Sequence, residues 1–342
     1  MVSLCPLSWL YGLGVAARRA WLKRRPATRL GLATVSVGNL TVGGTGKTEA
    51  VALIAEWLRD RGLRPAVLSR GYGRRSREAV LVVSRGEGPV VNVQAAGDEP
   101  YLLAQRLAGV AVVVGADRAA SCRMAREQLG CRSVVLDDGF QRRDQIHRDA
   151  DLVLLDATDP FGGGDLLPAG RLREPVAALA EAGALLLTRC DQQDPAPLLA
   201  DLRRWYPEKP VWQSRHAASG LRELATGAEA PLSALANERV LAVSGIARPG
   251  AFIKTLESLR AEVAGHFAFR DHHWFRPADC RRLLAHATAL RARIVTTAKD
   301  AVRLAAVAGT SLPGWILDVR LEISPSPASW QEWLRQALEG IA

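Results

Sequence analysis

Five cysteines (Cys5, Cys122, Cys131, Cys190, Cys280) are scattered along the chain with no CxxC pair and no histidine at zinc spacing. They read as reduced thiols of a cytoplasmic protein, and nothing points to a structural metal. The apolar stretch from Leu4 to Ala17, which carries Trp9 and Tyr11, falls short of the roughly 20 residues needed to span a bilayer. Its positive charges (Arg18, Arg19, Lys23, Arg24, Arg25, Arg29) come after the apolar run, the reverse of an export signal. Repeats of fixed period, low-complexity tracts and recognised nucleic-acid motifs are also missing.

What is present is an ordinary globular composition: 342 residues, 48% hydrophobic and 23% charged. That length suffices for two domains with their own cores. The formal charge of +10 suits an anionic partner, whether nucleic acid, acidic membrane or phosphorylated substrate. A sizeable share of the excess sits in the first thirty residues, which argues against a nucleic-acid footprint. An aromatic-bearing apolar face beside a dense basic cluster suits a helix lying in the headgroup region of an anionic leaflet. The plainer alternative is a first helix packed on the core with a solvated basic end.

The chain is organised around Ala33 to Thr48, ATVSVGNLTVGGTGKT. A β-branched run leads through a glycine turn into an apolar-periodic helix. Unpaired N–H groups at a helix start, with the helix dipole, make an anion site. The P-loop pattern places lysine on the β- and γ-phosphates and the following hydroxyl on magnesium. Thr41, Val42, Gly43, Gly44, Thr45, Gly46, Lys47 and Thr48 are therefore the nucleotide candidates, although the pattern's first glycine is replaced by Thr41.

Strand–helix alternation continues to about residue 205, which indicates a P-loop-type, doubly wound parallel α/β sheet. Pro65 to Ser69 is a strand running into Arg70-Gly71-Tyr72-Gly73-Arg74, a loop that can meet phosphates or simply turn. Asp98 and Glu99 open a helix, where acids commonly do no more than complement its dipole. The strand ending in Asp137-Asp138 places two acids where P-loop enzymes hold magnesium. A long loop through Gly162-Gly163-Gly164 and Pro168 to Pro175 brings Arg171, Arg173 and Glu174 to the sheet edge, suited to substrate binding. The pattern weakens over residues 212–236, read as a connector, and a second, smaller α/β domain occupies 237–342. The expected division is thus a basic membrane-associated helix (1–30), a P-loop domain (31–211), that connector, and the second domain. In the last, Asp271-His272-His273 follows a strand, and a surface turn explains it as well as a metal site does.

As a set, VGNLTVGGTGKT, LSRGYGR, GDEPYLLA, DDGFQ, LPAGRLREP, SGIARPGAF, DHHWF and TTAKDAVRL resemble the tetraacyldisaccharide 4′-kinases, the lipid A kinases of Gram-negative bacteria. The resemblance covers roughly residues 5 to 325, and Thr41 is the usual form in that family. Three departures stand out: Glu49 where a proline is usual, Arg142 where DDGFQH has histidine, and Ala298 where glutamate commonly precedes the lysine. The resemblance implies transfer of the ATP γ-phosphate to the 4′-hydroxyl of an acylated glucosamine disaccharide 1-phosphate, with Mg2+ as cofactor. It implies a peripheral or monotopic enzyme on the anionic cytoplasmic face of the inner membrane, with no nucleic acid and no obligatory protein partner. Asp98 becomes the base, oriented or polarised by His272, while Lys47 stabilises the transferring phosphoryl group. Thr48, Asp137 and Asp138 hold magnesium, and Glu99, Arg118, Gln141, Arg171 and Glu174 are substrate-contact candidates. The competing reading is a membrane-associated P-loop GTPase or ATPase switch without a lipid acceptor. Its guanine reader would be Thr188-Arg189-Cys190-Asp191, which lacks the expected lysine.

Overall fold

The computed structural model describes residues 6–24, 27–308, 312–324 and 326–341. Leu4, Cys5 and Arg25 of the N-terminal stretch lie outside the described residues. Helix α1 (Pro6–Lys23) is followed by β1 (Ala33–Asn39), α2 (Lys47–Asp60), β2 (Pro65–Ser69) and β3 (Val80–Ser84). Next come α3 (Val93–Ala96), α4 (Asp98–Arg106), β4 (Ala111–Gly115), α5 (Arg118–Glu127) and β5 (Ser133–Asp137). Strands β6 (Ala150–Asp156) and β7 (Ala184–Thr188), helix α6 (Ala196–Trp205) and the long β8 (Val211–Glu223) complete the first lobe. The second lobe comprises β9 (Glu229–Ala230), β10 (Arg239–Ser244), α7 (Pro249–Ser258), β11 (Glu262–Ala268) and α8 (Pro277–Leu290). It continues with β12 (Arg293–Thr297), α9 (Ala298–Ala308) and β13 (Gly314–Ser324), and α10 (Pro327–Ala337) closes the described chain.

Every residue of β1, β2, β4, β5 and β7 is buried. Continuous Val/Leu runs of this kind belong to parallel strands covered by helices on both faces. Among the described residues one sheet of 13 strands runs through both lobes in the order β11-β10-β12-β13-β8-β7-β6-β1-β5-β2-β4-β3, with β9 on β8. Within the first lobe β8, β7, β6, β1, β5, β2 and β4 are parallel, and β3 closes the edge antiparallel. Within the second, β11, β10, β12 and β13 are parallel. The two sets meet antiparallel along β13 and β8, with a register shift between Asp318 and Val319. Bulges of this sort bend a ribbon and increase its twist.

The segment 212–236 thus contains most of β8. Its small residues Ala217, Ala218, Ser219 and Gly220 lack the apolar alternation that marks a strand, because both faces of the ribbon there are only partly covered. Helix α10 turns back onto the first lobe: Trp330, Leu334 and Leu338 share a buried cluster with Trp57 and Leu58 of α2. The Trp57 and Trp330 rings lie 6.3 Å apart, and Trp212 and Trp333 5.4 Å. The C-terminal ends of strands from both lobes face one cleft of about 1570 Å³, lined among others by Lys47, Asp137, Arg248, His272 and Lys299. Ligands of open α/β sheets bind outside the carboxyl ends of the strands.

Candidate active site

Strand β1 delivers Asn39, fully buried, to the mouth of the phosphate loop. Its Nδ2 donates to the Thr41 carbonyl (2.8 Å), and its Oδ1 accepts from Lys47 Nζ (3.1 Å). The chain then turns through Gly43 (φ 108°) and Gly46 (φ 87°), conformations that side chains with a Cβ rarely adopt. A Cβ at Gly46 would also sit 2.8 Å from the His216 ring. Burial pushes the His216 imidazole down to about 4, so this neighbour of the cradle is neutral at physiological pH. Helix α2 begins at Lys47 with its first N–H groups facing the loop, the arrangement that holds phosphate.

At the end of β5 two acids diverge. Asp137 Oδ2 accepts from Ser69 Oγ (2.9 Å), and its carboxyl is pushed up to about 6 by burial and by the charges of Glu99 and Asp138. Asp138 stands in the left-handed region (φ 57°), which turns its carboxylate onto Arg173 through two 2.8 Å bonds. Burial opposes its charge, but Arg173 and Lys47 (3.7 Å) outweigh that and hold the group well below the usual carboxylate range. Asp137, which forms no salt bridge among the described residues, lines the same cleft as Thr48. A hard cation with few protein ligands, completed by phosphate oxygens and water, fits such a place. No group of three or more His, Cys, Asp or Glu side chains suited to a metal occurs among the described residues.

Across the cleft, Asp98 is the first residue of α4, directly after the N-cap Gly97, and is 4% exposed. Its Oδ2 meets His272 Nδ1 (2.8 Å) and accepts from Arg303 Nη1 (2.8 Å), while Oδ1 accepts from the Glu99 amide (3.0 Å). His272 comes from the second lobe with φ 58°, and its own N–H is fixed to the Gly245 carbonyl (3.1 Å). His273 points elsewhere, to Asp279 (3.1 Å) and the Phe269 ring. Burial disfavours an ionised Asp98, yet His272 and Arg303 hold its carboxyl below the ordinary range. Reciprocally, the bond to Asp98 raises the His272 pKa against the opposing effect of burial. An ionised carboxylate, hydrogen-bonded and aimed into a phosphate-binding cleft, is equipped to take a proton from a hydroxyl.

The family model described as tetraacyldisaccharide-1-P 4'-kinase matches residues 1–339. A tetraacyldisaccharide 4'-kinase of Anaeromyxobacter dehalogenans (strain 2CP-C) is 48% identical over 294 residues, covering 84% of this chain and 77% of the relative. This chain belongs to the tetraacyldisaccharide 4'-kinase family. A relative of the same name from Syntrophus aciditrophicus (strain SB) is 39% identical over 333 residues, 93% of this chain and 88% of that one. The crystal structure of LpxK from Aquifex aeolicus in complex with ATP matches with a TM-score of 0.78 at 30% identity, covering 97% of each chain. The fold and the kinase class follow from these matches.

The remaining candidates of this kinase chain fall into two groups. Glu99 and Gln141 border the site. Glu99 pairs with Lys299 of the second lobe and accepts a long bond from Thr48 Oγ1 (3.4 Å). Gln141 donates to the Asn39 carbonyl (2.8 Å) and lines a second cavity of about 300 Å³ with Arg18, Arg70, Arg118, Arg142 and Arg173. Arg118 reaches that cavity from a buried position, its guanidinium donating to the carbonyls of Asp137 (2.8 Å) and Gly115 (3.2 Å). Arg171 and Glu174 are engaged with protein partners. Arg171 pairs with Asp159, and Glu174 holds Arg18 and Arg19 (2.8 Å) of α1. Glu49 pairs with Arg106 of α4, and Arg142 pairs with Asp144 (3.1 Å). Sequence reasoning missed Arg303, buried to 1% and bonded to Asp98, Asp300 (2.6 Å) and the Gly245 carbonyl (2.9 Å). The signal was there in KDAVR, whose Asp300 and Arg303 stand three apart on α9 and pair with each other.

Proposed function

We propose that the protein transfers the γ-phosphate of ATP to the 4′-hydroxyl of tetraacyldisaccharide 1-phosphate, forming lipid IVA in lipid A synthesis. The observation that carries this reading is one cleft holding both the P-loop and the Asp98–His272 pair. Asp98 accepts the hydroxyl proton as the sugar oxygen bonds to the γ-phosphorus and the bond to the β-phosphate oxygen breaks. Lys47 and the P-loop amides hold the charge on the transferring group. His272 and Arg303 orient Asp98 and keep it ionised. Magnesium, when bound, neutralises phosphate charge; Thr48, Asp137 and Asp138 are the residues to hold it. The arginine-lined cavity, with Gln141 and Arg118 on its wall, is suited to the substrate's 1-phosphate.

Helix α1 supports docking on the anionic cytoplasmic face of the inner membrane. Leu7, Leu10 and Leu13 are 62%, 65% and 68% exposed, while Val15 is buried and Ser8 bonds the Leu166 carbonyl (3.0 Å). No helix among the described residues is long and apolar enough to cross a membrane. A surface-lying helix accounts for both facts. We also divide the chain into a P-loop domain (31–211), a segment (212–236) that contributes most of β8 to the shared sheet, and a second domain (237–342) whose α10 packs back on the first, with closure of the lobes on substrates. Unchanged small-angle scattering on adding a non-hydrolysable ATP analogue and lipid would count against closure. The switch reading fares worse, because the family relatives are named as kinases.

The test is transfer of labelled γ-phosphate to tetraacyldisaccharide 1-phosphate in detergent micelles, with Lys47→Ala and Asp98→Ala alongside. Labelled lipid with the wild type and severe losses in both variants is the expected result. ATP hydrolysis without labelled lipid would refute the acceptor, and labelling that survives Asp98→Ala would refute the base.

A further inference from the structure

Several residues singled out by the sequence are not used by the chemistry above: Thr188 and Arg189 of the failed guanine reader, Arg248 of SGIARPGAF, and Arg171. They are neighbours. Arg189, left-handed at φ 58° and 8% exposed, donates from Nη1 to Asp156 (2.6 Å) and from Nη2 to the Gly44 carbonyl (2.8 Å). Thr188, fully buried at the end of β7, donates its hydroxyl to the Thr45 carbonyl (3.1 Å). Asp156 is itself fixed by the Thr158 amide (3.1 Å) and hydroxyl (2.7 Å). Arg248, at the start of α7 in the second lobe, reaches the same Asp156 oxygen (3.3 Å) and Asp159 (3.6 Å), to which Arg171 is also paired.

A trans peptide is planar, so its C=O and N–H point in opposite directions. Drawing the Gly44 carbonyl toward Arg189 turns the Thr45 N–H the other way. Drawing the Thr45 carbonyl toward Thr188 does the same for the Gly46 N–H. Among the described residues neither of these amides donates to a backbone carbonyl. Two consecutive donors are thereby aimed together, as an anion nest requires. We propose that Arg189 and Thr188 are positioning residues that aim the Thr45 and Gly46 amides at the nucleotide phosphates, and that Arg248 couples the second lobe to this cradle through Asp156. The segment that fails as a guanine reader instead shapes the phosphate loop from behind. Arginine suits the position because one planar fork serves the carboxylate and the carbonyl at once, which an ammonium does less well.

The experiment compares Arg189→Gln, Arg189→Lys, Thr188→Val and Arg248→Gln in the full chain, with AMP-PNP affinity by calorimetry and KM for ATP and for lipid. Arg189→Gln is expected to weaken AMP-PNP binding roughly 10-fold or more, as loss of a charge-assisted bond does. KM for lipid stays unchanged, and Arg189→Lys restores part of the affinity. Thr188→Val weakens AMP-PNP binding several-fold. Arg248→Gln weakens it less, and has no further effect in an Arg189→Gln background, because it acts through Asp156. If Arg189→Gln fails to fold, Thr188→Val decides. Folded Thr188→Val or Arg189→Gln protein with wild-type AMP-PNP affinity overturns the positioning role. Additive losses from Arg189→Gln and Arg248→Gln overturn the coupling.

Discussion

Asp98 must stay ionised inside a protein and still accept a proton, and its neighbours divide that labour. Arg303 supplies permanent charge from a fully buried position, whereas His272 supplies charge that depends on pH. Asp98→Asn keeps the shape and removes the base. We expect kcat to fall by about 10²–10⁴ with AMP-PNP affinity unchanged, which single-turnover kinetics and calorimetry check. Pairing lifts His272 above its ordinary 6.5, so the ion pair stabilises the fold fully below pH 6.5 and loses that contribution as pH rises through the raised value. Asp98 lies below its ordinary 3.8, so its share disappears only when pH falls through the depressed value. Urea midpoints of the wild type and His272→Gln should therefore differ most near pH 5 to 6 and converge as pH rises. Gly46→Ala meets both an unfavourable φ and the His216 ring, and should abolish nucleotide binding in the same calorimetric assay. Local sequence pointed to Lys47 and to the acids of β5, whereas the roles of Asp98 and His272 came from the family resemblance. Arg303 was overlooked although KDAVR carries it, because its partner Asp98 lies across the cleft and far away in the chain.

Among the elements, α1 is amphipathic in two directions. Ser8, Tyr11, Val15 and Arg19 fasten one face to the first lobe, while Leu7, Leu10 and Leu13 form another that nothing in the described chain covers. Replacing Leu10 and Leu13 by glutamate should reduce co-sedimentation with phosphatidylglycerol vesicles at least about tenfold, since each buried leucine contributes roughly 1.5–3 kcal/mol. Nucleotide affinity in solution should not change. Helices α2 and α4 are joined by the pair of Glu49 and Arg106. Glu49→Ala removes an exposed pair, and should cost at most about 1 kcal/mol in urea unfolding. The strands and helices of the first lobe were readable because buried parallel strands are unbroken apolar runs. Strand β8 was not, since a ribbon with both faces half-covered carries no period to read.

At the scale of the molecule, two parallel strand sets run antiparallel to each other and still face one cleft. The long β8–β13 ribbon, bulged at Asp318, is the element that permits this. The sequence suggested a second α/β segment, but the continuity of the sheet was not visible, because strand pairing between distant segments leaves no local trace. Deleting α10 after Ser324 would uncover Trp57, Trp212 and their neighbours. Loss of Trp330, Leu334 and Leu338, at roughly 1.5–3 kcal/mol each, rivals the total stability of about 5–15 kcal/mol common to domains. Such a truncation should be recovered only as aggregate, checked by size-exclusion chromatography. The same packing bears on how the chain is made. A ribosome releases α2 long before α10, so the P-loop helix emerges with Trp57 uncovered and waits. The second lobe, built from consecutive elements between β9 and β13, can settle in the meantime. The lobe begun first is finished last.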